Sequence, residues 1–433
     1  MNEFTKSYCT ECDGTSESLS RREFMQAGVV GGLGLSLFGS LQHLLAEGAA
    51  NPEAQAKSVI LLWLNGGPSH LDTWDPKNDS STKGSFKSIA TSVPGIRICE
   101  HMPKLAKQMK DFTILRSMSS AEGNHQRARY LMHTSYAPSG TVRHPGFGAI
   151  VSSEIGSEEI HLPSFVSIRG PSQGGGLLGA RHSPFFISDP TKPIANLSNP
   201  SGVSTDRFDR RVKLLNYLEK NFSRSRQREE VDSHHEVYGK AVKLVKSPSI
   251  KAFDLSKERE SLRSSYGKNV FGQGCLMARR LVQSGVKFVE VTLDGWDTHQ
   301  ENFTRTENLL GQLDPAMSTL LQDLKSRGML ESTLVVCMGE FGRTPRINSN
   351  NGRGHFPRAW SFTIAGGGVQ GGRVIGATSR DGSEVKKDRV TPPDLFTTLS
   401  YSLGIDPKKQ NYSSRGRPIK LVSGGKIIET LFT

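Results

Sequence analysis

Cysteine is nearly missing from this sequence, with five in 433 residues. Cys9 and Cys12 lie ahead of an Arg-Arg pair and form an isolated Cys-x-x-Cys, half of a zinc site with no second half nearby. Cys99, Cys275 and Cys337 are an odd and widely spaced set, which excludes a disulfide framework. Strong hydrophobes are also short in the one extended apolar run, residues 27–45, which is rich in Gly. A permanent membrane anchor wants about 20 strongly apolar residues, so none is expected. Acidic residues are in deficit, 42 against 55 Lys and Arg, for a formal charge of +13. Homeodomain, zinc-finger and RNA-recognition signatures are missing too, so this basic excess does not point to nucleic acid. No internal repeat and no low-complexity tail is present.

What is present begins with Ser20-Arg21-Arg22-Glu23-Phe24-Met25, then the apolar run, then small residues over 46–56. This is the order of a twin-arginine export signal. The arginine pair engages the translocase, a mildly apolar helix enters the membrane, and an Ala-x-Ala-like site permits cleavage, at Ala54-Gln55-Ala56 or near Ala49. The expected organisation is therefore a signal region over 1–56 and a domain over 57–433, with the periplasm or the cell exterior as destination. Residues 1–56 hold three basic against seven acidic residues, so the remainder carries +17. A surface this basic favours anionic partners, such as a sulfated or phosphorylated polymer, a small anion, or a membrane or cell-wall surface.

Four apolar, β-branched runs, 59–64, 112–115, 286–293 and 333–338, read as buried strands. Helical patterns separate them, short over 124–133 and 146–155, long over 208–247 and 255–284, amphipathic over 304–326. Strands alternating with helices predict an α/β fold with a mostly parallel central sheet flanked by helices. Residues 172–203, rich in Gly, Pro and Ser, read as an irregular connection, and the charged stretch 205–270 as a helical insertion.

In such a sheet, ligands bind beyond the carboxyl ends of the strands. After the first run comes Asn65-Gly66-Gly67-Pro68-Ser69-His70-Leu71-Asp72-Thr73-Trp74-Asp75, a turn with metal- or anion-binding donors, or an Asx-capped turn with none of that chemistry. After the third comes Asp294-Gly295-Trp296-Asp297-Thr298-His299, whose carboxylates and imidazole suit a divalent cation, Asp297 or Thr298 being alternatively a helix N-cap. After the fourth comes Gly339-Glu340-Phe341-Gly342-Arg343-Thr344-Pro345 and a loop ending Gly352-Arg353-Gly354-His355. There Glu340 and His355 are candidate ligands, and Arg343 a planar fork for phosphate or sulfate or a structural partner of Glu340. The segment Ser119 to Arg129 opens a helix carrying His125 and Arg127, a place for an anion or a nucleophile, or a capped helix with solvated arginines.

These four segments in this order resemble the alkaline-phosphatase and sulfatase superfamily, most closely its twin-arginine-exported, sulfatase-like branch known only as a domain of unknown function. The resemblance covers roughly residues 57 to 410 and rests on the strings from Leu64 to Trp74, Gly295 to His299, Glu340 to Pro345 and Gly354-His355. It implies that Asn65 takes the place of the first metal-binding Asp, that His125 or a neighbour falls near the nucleophile, that Asp297 and His299 are the middle ligands, that Glu340 replaces the Asp of an Asp-His pair, and that His355 is the late His. Phe341 stands where the His of that pair would be, and neither a Cys-x-Pro-x-Arg nor an Asp-Ser-Ala nucleophile sequence occurs. The resemblance thus implies a one-metal or altered site, holding zinc, manganese or calcium, in a hydrolase of an anionic small-molecule or polysaccharide ester. On this reading Arg127 and Arg343 hold the anion and His125 or a bound water attacks. The alternative is a protein of the same fold with a degenerate site that captures polyanions or attaches to a surface.

Overall fold

The computed structural model describes residues 54–433 apart from 158, 171, 195–196, 198–201, 224–227 and 414. The expected arginine-pair signal lies outside the described residues. All described residues fall within one compact unit, 48–433, and none of their helices is long and apolar enough to cross a membrane.

The centre is an eight-stranded sheet built from β1 (Ser58–Asn65), β2 (Thr113–Met118), β3 (Phe165–Ile168), β4 (Phe185–Ile187), β5 (Phe288–Asp294), β6 (Thr333–Met338), β7 (Trp360–Ala365) and β8 (Arg373–Ile375), in the order β8-β2-β7-β6-β1-β5-β3-β4. β1 runs parallel to β5 and to β6, and only β7 runs against its neighbours β2 and β6. The fold is α/β with a mostly parallel sheet, as the strand and helix alternation predicts. β1 shows why an unbroken apolar run was needed. Successive side chains point to opposite faces, so Ile60, Leu62 and Leu64 join one core while Val59, Leu61 and Trp63 join the other.

Helices cover both faces: α1 (His125–Thr134), α2 (Phe147–Glu154), α3 (Thr205–Ser223), α4 (Arg228–Lys246), α5 (Val270–Gln283), α6 (Asn302–Ser326) and α7 (Pro392–Ser402). The charged insertion is helical, but its long patterns are divided. The stretch 208–247 becomes α3 and α4, and 255–284 becomes a 3-10 turn (Leu255–Lys257), a six-residue helix (Glu260–Ser265) and α5, broken at Gly267 with φ +97°. Residues 172–203 are mostly irregular yet include β4.

Candidate metal centre

β1, β5 and β6 lie side by side, with Asn65 opposite Asp294 and Trp63 opposite Met338. Their following loops therefore leave along one sheet edge and converge. The two glycines after β1 make that convergence close. A Cβ on Gly66 (φ +114°) would lie 2.3 Å from the Asp297 backbone nitrogen, and one on Gly67 (φ +82°) 2.5 Å from the Phe341 carbonyl oxygen. Only glycine allows this turn to rest on both neighbours. Arg305 of α6 holds the middle loop, donating to the carbonyls of Gly295 and Asp297 at 3.1 Å each.

His125 opens α1, whose N-cap Asn124 accepts the Arg127 backbone N–H. Its Nδ1 lies 2.7 Å from Glu340 Oε1. A carboxylate can only accept, so Nδ1 carries a proton, and in the neutral ring that a metal requires Nε2 is the lone-pair nitrogen. That hydrogen bond to Glu340 raises the His125 pKa, against burial. Nε2 is buried, lacks a hydrogen-bond partner and lies 3.3 Å from Asp297 Oδ1. His355 has the same polarity, for its Nδ1 is 2.8 Å from the Gly123 carbonyl, so Nε2 is again the lone-pair nitrogen. Burial, then Arg343 and the neighbouring imidazoles, lowers the His355 pKa and favours this neutral form. His299 Nε2 stands 2.9 Å from His355 Nε2 and 3.1 Å from Asp297 Oδ1. One ligand atom each from His125, Asp297, His299 and His355 fall within 4.8 Å of one another. An orphaned buried lone pair beside two more imidazoles and a carboxylate fits a cation.

Asp297 is shared. Burial alone would raise its pKa, but Arg343, whose Nη2 donates to Oδ1 at 2.5 Å, together with His125 and His299, brings it down to about 2. The carboxylate is therefore ionised. Arg343 is fully buried and its other donors are spent on backbone: Nε on Gly67 O at 3.0 Å, Nη1 on Arg353 O at 3.2 Å, Nη2 also on Gly66 O. It steadies Asp297 and the β1 turn.

Glu340, fully buried, accepts the Gly66 N–H with both oxygens at 3.0 and 3.1 Å besides His125, so the structure places it behind the cluster rather than in it. Asn65 is also outside it. Its amide donates to Asp294 Oδ1 at 2.7 Å and accepts from Arg129 Nη2 at 2.5 Å. Arg127 turns to Glu122, at 2.6 and 2.8 Å, with its side chain half exposed. The other donors of the first loop serve structure: His70 meets Gly382 O at 2.9 Å, Asp72 pairs with Arg353, and Asp75 with Lys77 and Arg116. Asp297 and Thr298 do not cap α6, whose N-cap is Glu301.

One further residue emerges that was given no role above. Arg353, fully buried, clamps Asp72 through Nε at 2.7 Å and Nη2 at 3.1 Å and so pins the loop that delivers His355. Nothing in its sequence context marks it. Arg129 was legible: it lies four residues after His125, hence on the same face of α1, whereas Arg127 does not.

The chain matches the family described as "Protein of unknown function (DUF1501)" over residues 56–432, and belongs to it. No curated protein matches. Solved structures similar to it include a sulfatase, PsFucS1, from Pseudoalteromonas sp., at 13% identity over 91% of this chain and 74% of that one, TM-score 0.41. A protein of the alkaline phosphatase superfamily from Vibrio parahaemolyticus is 14% identical over 83% and 69%, TM-score 0.37. A phosphonate monoester hydrolase from Silicibacter pomeroyi is 11% identical over 88% and 77%, TM-score 0.37. At these values the likeness says nothing of the chemistry.

Proposed function

We propose that this member of the family is an exported, metal-dependent hydrolase of sulfate or phosphate esters. The observation that carries the reading is the convergence of His125, Asp297, His299 and His355, with Nε2 of His125 and of His355 turned inward by the partners of their Nδ1 atoms, Glu340 and Gly123 O. Three imidazoles and one carboxylate suit zinc or a similar nitrogen-preferring cation; calcium wants a shell of oxygens. Such a cation, when bound, supplies Lewis acidity to an ester oxygen and acidifies water. Both ring nitrogens of His125 are engaged, one by Glu340 and one by the cluster, so water is the attacking group on this reading, and His125 is a ligand. The +13 charge favours anionic substrates, small or polymeric.

Purified, exported protein is expected to carry about one equivalent of a zinc-class metal by elemental analysis, to lose it in His299→Ala, and to turn over aryl phosphate, sulfate or phosphonate esters. Metal-free protein, or unchanged metal content in His299→Ala, sinks the reading. Stoichiometric metal without turnover of any such ester would favour the polyanion-binding alternative.

A further inference from the structure

We infer that Arg129 is the residue that holds the anionic oxygens of a tetrahedral oxyanion ester beside the four-ligand cluster. The proposal rests on the hydrolase reading above and supplies what that reading lacks, because the two arginines expected to hold the anion are committed elsewhere. Arg343 is enclosed by carbonyls and Asp297, and Arg127 is paired with Glu122. Arg129 shares with His125 the inward face of α1, one turn along. Its Nη2 donates to Asn65 Oδ1 at 2.5 Å, while its Nε is buried and has no hydrogen-bond partner. A buried guanidinium donor left unmet carries a desolvation cost that an arriving acceptor removes, and a guanidinium suits the oxygens of phosphate or sulfate.

The support of Arg129 is built, and of fixed polarity. Asp294 can only accept, so it takes the Asn65 amide N–H at 2.7 Å; Arg129 can only donate, so it meets the amide oxygen. Asn65 is thereby oriented from both sides, and its own carbonyl accepts the Trp296 N–H at 3.1 Å, one residue before Asp297. Asn65 and Trp296 thus connect the support of Arg129 to the backbone that carries the cluster carboxylate. Asn65, where the resemblance implies a metal ligand, becomes an anchor for the substrate-holding arginine.

The test measures inorganic phosphate and sulfate binding by calorimetry to metal-loaded wild type, Arg129→Gln and Arg129→Lys, with metal content and ester turnover recorded alongside. Expected are unchanged metal content in all three, binding weakened at least about tenfold in Arg129→Gln, partial rescue in Arg129→Lys, and a KM rise exceeding the fall in kcat. Equal anion affinity in wild type and Arg129→Gln overturns the assignment, as does failure of the wild type to bind either anion. Both outcomes leave the hydrolase reading to be judged on metal content and turnover. Loss of metal from Arg129→Lys as well as Arg129→Gln would make the residue part of the scaffold, and also overturns it.

Discussion

Glu340 and Arg343 stand three residues apart and do opposite work on two members of the proposed cation cluster, His125 and Asp297. Glu340 accepts the His125 Nδ1 proton, drawing it toward the carboxylate, and so raises the donor strength of Nε2. Arg343 draws charge from Asp297 Oδ1, the oxygen that faces the three imidazoles. One makes its ligand a better donor; the other makes its ligand a weaker but firmly placed one. Glu340→Gln keeps the shape and removes the charge, so metal affinity is expected to fall roughly 10- to 100-fold while the fold persists, which a chelator competition with circular dichroism as control would check. Unchanged affinity would mean that Glu340 serves only the Gly66 turn. Which of these residues is ligand and which is support could not be read from residue types, since both Glu340 and His355 follow β6 and both are metal-binding chemistry. The difference lies in which atoms face the cluster, and packing of the β1 turn on Glu340 decides that.

At the scale of the element, α1 carries a row of His125, Arg129 and His133 at intervals of four residues. The last of these is buried against Glu290 in the middle of β5, with Nε2 at 3.2 Å from Oε1, and Ser172 donates to the other oxygen. Burial opposes the imidazolium, but the charge and hydrogen bond of Glu290 outweigh it and the His133 pKa is raised. A raised imidazole contributes stability that is complete below about pH 6.5 and disappears as pH climbs through the folded value. His133→Gln is expected to cost about 3–5 kcal/mol in mildly acidic buffer, from denaturant unfolding, because it strands a buried carboxylate. The gap should narrow in alkaline buffer, and adding Glu290→Gln should return part of it. A gap that widens with pH would reject the ion pair. Strand runs β1, β5 and β6 were legible because both faces are buried and the apolar pattern is continuous. β3 and β4 were not, being four and three residues long. β7 carried a usable signal in Trp360-Ser-Phe-Thr-Ile-Ala, ended by three glycines, but its antiparallel course has no helix after it to mark it.

For the whole molecule, the start of the folded body bears on the proposed export. Ala56 packs in the core with 4% exposure, and its N–H donates to Ser402 O at 3.1 Å. A cut after Ala56 would delete that contact, so on the proposed export reading processing nearer Ala49 is expected, and the mature protein should begin ahead of Ala54 by amino-terminal sequencing. A mature form beginning at Lys57 would refute this. The ion pair of Asp72 with Arg353 spans 281 residues of sequence, and His125 meets Glu340 across 215. Contacts of such separation form late, since closing so large a loop costs entropy that local structure does not repay. A nascent chain that ends before Arg353 holds three of the four proposed ligands and no anchor for the loop that brings the fourth. The complete site exists only once the last quarter of the chain has docked on the first strand, so possession of a cation would report that folding has finished, the same condition that a translocase of folded cargo demands.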